Sequence, residues 1–439
     1  MIPWIQAAVP PDAPITGALL GAYVLFDIFL IIVLARILGT IMGKIGQPRV
    51  VGEILAGVLL GPTLLGNDLS LAIAPEPARA VIGTIATMAL ILFMFLAGTE
   101  YDRSTVRGRE TQASVLALLA VAVPALVAFP VAAVMHTPTF AGSGGEAFLP
   151  YALFLGAALA VTAFPVMAHI LMERGELNTP IGGLGVATAA IMSVFMFLYL
   201  AFAAIVASAT GMGALFRKLL LVALFVAASW LVVRPLMGRV LRAGFRHGAV
   251  SPNTMGIVFA GLILWGLLGD RLGIHAMVGA FLWGLLLPED RDLRRALSEK
   301  VRDVALILFL PVFFAFSGFN TDLRLLTPAV IPATILFVAA AVGGKFLAVI
   351  PARAFGLSWN ETGVLAALFN TRGLLALVAG LIGLQLQIIT PATFTVFVVM
   401  SLATNLMTLP LLDGLARRRV AAEARVVAAP ARVEVAGGA

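Results

Sequence analysis

The sequence predicts an all-α polytopic membrane protein organised around two interrupted helices, and three observations carry that prediction. Of its 439 residues, 61% are hydrophobic and 12% charged, against about half and about a quarter in a soluble domain. Apolar segments long enough to cross a bilayer recur along nearly the whole chain, with short loops between them. Two of these segments are broken near their middles, one by Val161-Thr162-Ala163-Phe164-Pro165 and one by Asn370-Thr371-Arg372-Gly373.

With a window of about 19 residues the segments fall near 16–42, 50–66, 80–98, 113–135, 148–172, 181–209, 217–236, 254–270, 273–288, 303–319, 328–351, 362–384 and 393–413, giving about thirteen spans. Assigning alternate loops to opposite sides puts about 21 Lys and Arg with Lys44, Arg103, Arg242, Arg294 and Arg417, and about 5 on the other side. That bias predicts a multi-pass protein of the plasma membrane (the inner membrane in a bacterium), N-terminus outside and C-terminus cytoplasmic, which requires an odd number of spans. Met1 to Gly17 carries no Lys or Arg, so it does not read as a secretory signal. From 414 to 439 an Ala/Val/Arg-rich tail is expected to be mobile. No glycine-rich nucleotide-binding unit follows the membrane part, so control by a dinucleotide would need a separate protein. Cysteine is absent and the four histidines, at 136, 169, 247 and 275, lack ligand spacing; neither a metal nor a cofactor is expected. Most basic residues lie in short loops, which argues for the lipid bilayer and against nucleic acid as the partner.

Each break has a physical consequence. Pro165 lacks an N–H and disfavours helical geometry at Phe164, so the first segment must kink or unwind. In hydrocarbon the freed backbone groups cost several kcal/mol each unless protein, water or a substrate satisfies them. One such break alone is equally a kink that only shapes packing. Two of them, in corresponding positions of two halves, point to a secondary transporter's substrate site, with half-helix ends facing each other at the midplane.

A set of motifs then carries a resemblance. Val51-Gly52-Glu53-Ile54-Leu55-Ala56-Gly57 through Gly61-Pro62, Phe95-Leu96-Ala97-Gly98 with Glu100 and Asp102, and Thr162-Ala163-Phe164-Pro165-Val166 come in order. Gly273-Ile274-His275 with Gly279-Ala280-Phe281 and Pro288, Phe313 to Gly318 with Asp322, Gly344-Lys345 and Asn370 to Gly373 complete the series. Together they resemble the second monovalent cation:proton antiporter family, a sodium/hydrogen exchanger domain, in its bacterial potassium-efflux and plant cation/H⁺ exchanger branches. The resemblance implies inverted five-span repeats in a domain over 16–413. It also implies a core bundle (about 113–209 and 328–413) with both broken helices crossing in it, moving against a scaffold (about 16–98 and 217–319) that forms a homodimer. Protons would be exchanged against a small solute, a monovalent cation in the family.

The sequence departs from that pattern where the chemistry lies. The family rests on one or two aspartates in the span after the first broken helix. A cation leaving water needs anionic oxygens, and a carboxylate holds either the cation or a proton, so exchange follows from competition. Aligned from Pro165 and the run Gly185 to Ala190, those positions fall on Met192 and Ser193, and the second-half acid falls on Ala376. No Asp or Glu occurs over 177–269, 323–360 or 362–412.

Lys345 is retained where the family places a lysine that pairs with the missing acids. One reading has it snorkel to the cytoplasmic surface, Pro351 being about 9 Å of helix rise away. The other turns it toward the site without an acidic partner, where desolvation favours the neutral amine, able to carry the proton alone or hold an anionic or neutral substrate. Arg372 reads first as a tie for unwound carbonyls. His169, one turn after Pro165, is either a proton group of the physiological range or a satisfied polar contact. Thr162, Ser193 and Asn370 supply neutral oxygens, with Thr371 in the same insert. The expected pathway therefore comprises Thr162, Pro165, His169, Met192, Ser193, Lys345, Asn370, Thr371 and Arg372. Glu53 and Asp27, the surviving intramembrane acids, fall in scaffold spans and read as helix–helix hydrogen-bonding groups ahead of ion ligands.

Three functional classes follow. The first is a proton-coupled antiporter whose coupling is altered by the missing aspartates. The second keeps the fold in a transport-inactive binding or regulatory protein. The third is a membrane enzyme, which the sequence discourages: the core lacks the general acid–base carboxylates, thiols and clustered histidines that most chemistries use, leaving His169, Ser193 and Lys345 as its only plausible players, a Ser193–Lys345 pair among them. The chain is therefore not expected to be an enzyme.

Overall fold

The computed structural model describes residues 17–99, 109–143, 147–177, 179–246, 249–372 and 374–428. Its helices are α1 (Gly17–Lys44), α2 (Arg49–Leu60), α3 (Pro62–Ile73), α4 (Glu76–Thr99), α5 (Glu110–Met135), α6 (Phe148–Ala160), α7 (Phe164–Glu173), α8 (Pro180–Ala207) and α9 (Met212–Ala228). A π-helical turn leads from α9 into α10 (Arg234–Gly244), followed by α11 (Pro252–Leu272), α12 (Ala276–Leu285) and α13 (Arg291–Val304). A second π-helical turn leads into α14 (Leu310–Phe319), and α15 (Ile331–Val349), α16 (Trp359–Phe369), α17 (Leu374–Gln385) and α18 (Pro391–Ala428) complete the order. The one sheet among the described residues is a two-residue ribbon, Phe245–Arg246 against Ala249–Val250.

Each of the thirteen predicted segments falls on a helix or a helix pair. By length and apolarity, nine helices among the described residues can cross a bilayer, or ten if α2 and α3, bent by 57° at Gly61, form one span. Segments α6 and α12 and the apolar part of α17 are shorter, so helix length does not fix a count of thirteen. Within the stretch expected to form a tail from 414, α18 runs on to Ala428, because an Ala/Arg-rich stretch has high helix propensity. Residues 429–439 lie outside the described set.

Helix packing separates into two groups. In the first, α2 packs on α1 and α14, α4 on α12 and α14, and α11 on α12. In the second, α5 packs on α6, α8 and α15, and α18 on α15, α16 and α17. Local signals start the key helices of the second group. Thr179 caps α8 by accepting from the Gly182 N–H at 3.0 Å. Ser358 and Glu361 form a reciprocal capping box at the start of α16.

Small residues set the helix spacing in the first group. Apolar side chains gain nothing by leaving lipid for each other, so close backbone approach has to supply the packing. A Cβ on Gly318 of α14 would lie 2.0 Å from the Gly57 carbonyl carbon and 2.4 Å from its Cα, on α2. Backbone atoms cannot rotate away. Gly318→Ala is therefore expected to push α2 and α14 apart and destabilise the detergent-solubilised protein by about 1–3 kcal/mol, the usual cost of overpacking, read as a fall in thermal midpoint.

Candidate functional site

The first interruption unwinds where the proline rule requires it. Helix α6 stops at Ala160, Val161 and Ala163 leave helical geometry (ψ 143° and 87°), and α7 begins at Phe164 with Pro165 in its first turn. Carbonyls in the last turn of a helix have no N–H four residues on to accept from. Two of those in α6 are taken by side-chain cations. Arg372 Nη1 donates to the Ala158 carbonyl at 2.7 Å, and Lys345 Nζ donates to that of Ala160 at 2.5 Å. A helix C-terminus carries partial negative charge, so both cations also oppose its dipole.

Each cation makes a second bond that ties another helix to the break. Arg372 Nη2 donates to Ala341 O of α15 at 2.7 Å, and Lys345 Nζ to Ala120 O of α5 at 2.9 Å. The Ala120 carbonyl is available because Pro124, four residues on inside α5, has no N–H to give it. Lys345 thus fills the hydrogen bond that a proline took away.

The second interruption docks directly on the first. Thr162 Oγ1 donates to Phe369 O at 2.6 Å, and the Ala163 N–H donates to Thr371 O at 2.8 Å. Thr371 Oγ1 turns back to Leu368 O at 2.7 Å. From α18, Asn405 brackets the unwound Arg372 peptide, its Oδ1 accepting from the Arg372 N–H at 3.0 Å and its Nδ2 donating to the Arg372 carbonyl. The Asn370 amide is fully buried, and neither its oxygen nor its nitrogen has a hydrogen-bond partner.

A cavity of about 310 Å³ leads to this crossover from the α1–α2 junction. Its lining includes Pro48 and Arg49 at the start of α2 and Ala163 and Phe164 at the first break. The first group contributes Phe93, Phe281, Phe314 and Glu53, and the second contributes Ala190, Ser193 and Phe197 of α8. Its charged lining residues are Arg36, Arg49 and Glu53.

The sequence-selected residues divide accordingly. Thr162, Lys345, Asn370, Thr371 and Arg372 gather at the crossover, all buried. Lys345 is 0% exposed and absent from the cavity lining. It therefore does not snorkel, because two buried carbonyls hold its ammonium inside; for the same reason it does not front the cavity. Ser193 lines the cavity, with its hydroxyl turned back onto the Ala189 carbonyl at 3.1 Å. Met192 is core, 2% exposed. Pro165 and His169 lie in helical backbone, and their side chains are outside the described residues. Among the described residues no hydrogen bond joins Ser193 to Lys345, whose donors go to separate carbonyls, so a Ser–Lys catalytic pair is not formed.

Two further residues border the crossover and the cavity. Asn405 is a lone amide in an apolar span, a signal for an interhelical bond that names no partner. Glu53, which the sequence reads as a helix–helix hydrogen-bonding group ahead of an ion ligand, lies on the cavity wall.

Two unwound helices bonded to each other beside a cavity between two helix groups define a broken-helix secondary-carrier fold. The chain belongs to the sodium/hydrogen exchanger family, whose transmembrane model matches residues 29–413. It is 33% identical over 397 residues to the Na(+)/H(+) antiporter NhaS4 of Synechocystis sp., covering 88% of this chain and 96% of that one. It is also 33% identical over 404 residues to cation/H(+) antiporter 18 of Arabidopsis thaliana, covering 91% of this chain and 49% of that protein. The chain thus spans about half the length of that plant relative. Among solved structures it is similar to the sodium proton antiporter MjNhaP1 of Methanocaldococcus jannaschii, with a TM-score of 0.66 at 18% identity, over 90% of this chain and 97% of that one.

Proposed function

We propose that the chain is a secondary-active antiporter that exchanges protons for a monovalent cation by alternating access. The observation that carries this is the direct bonding of the two interrupted helices at the inner end of the cavity, through Ala163 to Thr371 and Thr162 to Phe369. The cavity lies between two sparsely connected helix groups, the arrangement in which one group can rock against the other around a fixed site. The antiporter names of the relatives support the same reading. In this reading the second group is the core and the first the scaffold. The Lys/Arg bias supports a plasma-membrane orientation with the N-terminus outside. The lipid-exposed faces of α9 and α10, whose span is 6% buried, suit a homodimer.

The test is a proteoliposome assay with a preset pH gradient read by an internal pH dye. Addition of Na⁺ or K⁺ is expected to collapse the gradient in protein-containing vesicles and not in empty ones. No response to Li⁺, Na⁺, K⁺, Rb⁺ or Cs⁺ across the neutral range would overturn the proposal. It would favour the transport-silent alternative, which the apolar Met192 and the internally bonded Ser193 support. In that event the double variant Met192→Asp with Ser193→Asp is expected to gain exchange if the moving parts are intact.

A further inference from the structure

We propose that Glu53 is the carboxylate for which the proton and the cation compete in this chain, an ion site set in the scaffold wall of the cavity; this rests on the antiport reading above. Obligatory exchange by competition needs a group that holds one or the other, and in the spans around the crossover the acids Glu110, Glu173 and Glu361 stand only in terminal turns while Asp413 is paired with Arg174. Glu53 is the one acid among the cavity's lining residues. It is 9% exposed, one helical turn inward from Arg49 on α2, where a cation has to shed water to reach it and the carboxylate's charge is the compensation.

The carboxylate is also uncommitted. Several surface acids of this chain are tied to guanidiniums, as Asp413 is to Arg174 at 2.6 Å and Asp322 to Arg324 at 2.8 Å. Among the described residues Glu53 has neither a hydrogen bond nor an ion pair. The charged groups facing it are Arg36 of α1 and Arg49 of its own helix, and both are exposed at the mouth. The Arg36 guanidinium is turned to the Ile307 carbonyl at 3.2 Å. Both guanidiniums attract the carboxylate through space, but neither is bonded to it, so its oxygens are left for a bound counter-ion. Among the described residues the other walls add no ionisable side chain: α4 gives Phe93 and Ala97, α7 Phe164 and Val166, α8 Ala190, Ser193 and Phe197, α12 Phe281, and α14 Leu310 and Phe314. Lys345 and Arg372 are buried behind the crossover, bonded to carbonyls.

Position completes the argument. The cavity that Glu53 lines also touches Ala163 and Phe164 at the first break and Ser193 on α8. Movement of one helix group against the other therefore changes what faces the carboxylate. Asp27, the second intramembrane acid, is 1% exposed with both oxygens unpartnered, but it is not among the residues that line this cavity. In the proposed cycle Glu53 releases one proton to the open side as it takes one cation, and the reverse on the other side.

Two measurements on wild type, Glu53→Gln and Glu53→Asp test this. One is the initial rate of cation-driven proton movement in proteoliposomes. The other is proton release when Na⁺ or K⁺ is added to the detergent-solubilised protein in weak buffer. Glu53→Gln, which keeps the shape and loses the charge, is expected to lower the rate by at least about tenfold and to abolish proton release. Glu53→Asp is expected to keep both with a shifted half-saturating cation concentration and pH profile. Wild-type rate and proton release in Glu53→Gln would overturn the site and leave antiport standing. Proton release in wild type that is lost in Glu53→Gln, without exchange by either, would uphold the site and overturn antiport. A wild type that does neither overturns both. Should Glu53→Gln elute as an aggregate, the Glu53→Asp profile decides, and an unshifted one overturns the proposal.

Discussion

Arg372→Ala is expected to be the most damaging single substitution in the second helix group. The guanidinium is fully buried and donates to carbonyls on two different helices, Ala158 of α6 and Ala341 of α15. Removing it leaves the Ala158 carbonyl without a donor, since the chain unwinds before a fourth following N–H can be supplied. A buried acceptor left unpaired costs about 1–3 kcal/mol, and the vacated volume of a large side chain adds a cavity penalty. Part is recovered because a charge need no longer be buried, its Nε being unpartnered already. The balance is a loss of roughly 2–5 kcal/mol, seen as a lower thermal midpoint in detergent, together with loss of exchange. Arg372→Lys is expected to recover only part, because one ammonium nitrogen has to stand in for two guanidinium nitrogens, Nη1 on Ala158 and Nη2 on Ala341. An Arg372→Ala protein as stable as wild type would mean that the crossover does not depend on this tie.

What could be read from the chain follows from how local each cause is. The first break is written in Pro165 and the second in a polar insert within an apolar run; both act through their own backbone, so both were legible. The closure of the crossover was not. Asn405 lies 33 residues from Arg372, and nothing in an isolated asparagine says which unwound peptide it will bracket. The cavity is likewise a product of two helix groups meeting. Glu53 could be seen as an intramembrane acid, but whether it faced a neighbouring helix or open space depended on the gap between α2 and α8. Ser193 and Met192, adjacent in sequence, part for a local reason: neighbours on a helix point about 100° apart, so one reaches the cavity and the other the core.

Lys345→Met should destabilise the protein, and Pro124→Ala should repair part of that loss. The prediction rests on a division of labour between two residues that never touch in sequence. Pro124 deletes the N–H that the Ala120 carbonyl would use, and Lys345 reaches across from α15 to supply a donor in its place. Methionine keeps most of the volume and removes the donor, so two buried carbonyls, Ala120 and Ala160, lose their partner at once. The expected cost is about 2–4 kcal/mol, from about 1–3 for each unpaired acceptor less the desolvation of the amine. Pro124→Ala alone is expected to be near neutral, because the Ala120 carbonyl already has a donor. In the Lys345→Met background the restored N–H gives it one again, and the double variant should regain about 1 kcal/mol relative to Lys345→Met. Ala160 stays unpaired, so recovery is partial. Thermal midpoints of the four proteins form a double-mutant cycle whose coupling measures this bond. Zero coupling would mean that Lys345 holds its place for another reason, and a proton-carrying role for the amine would then regain its claim. A positive coupling makes Lys345 the structural pin of the crossover and leaves the exchange chemistry to the carboxylate across the cavity.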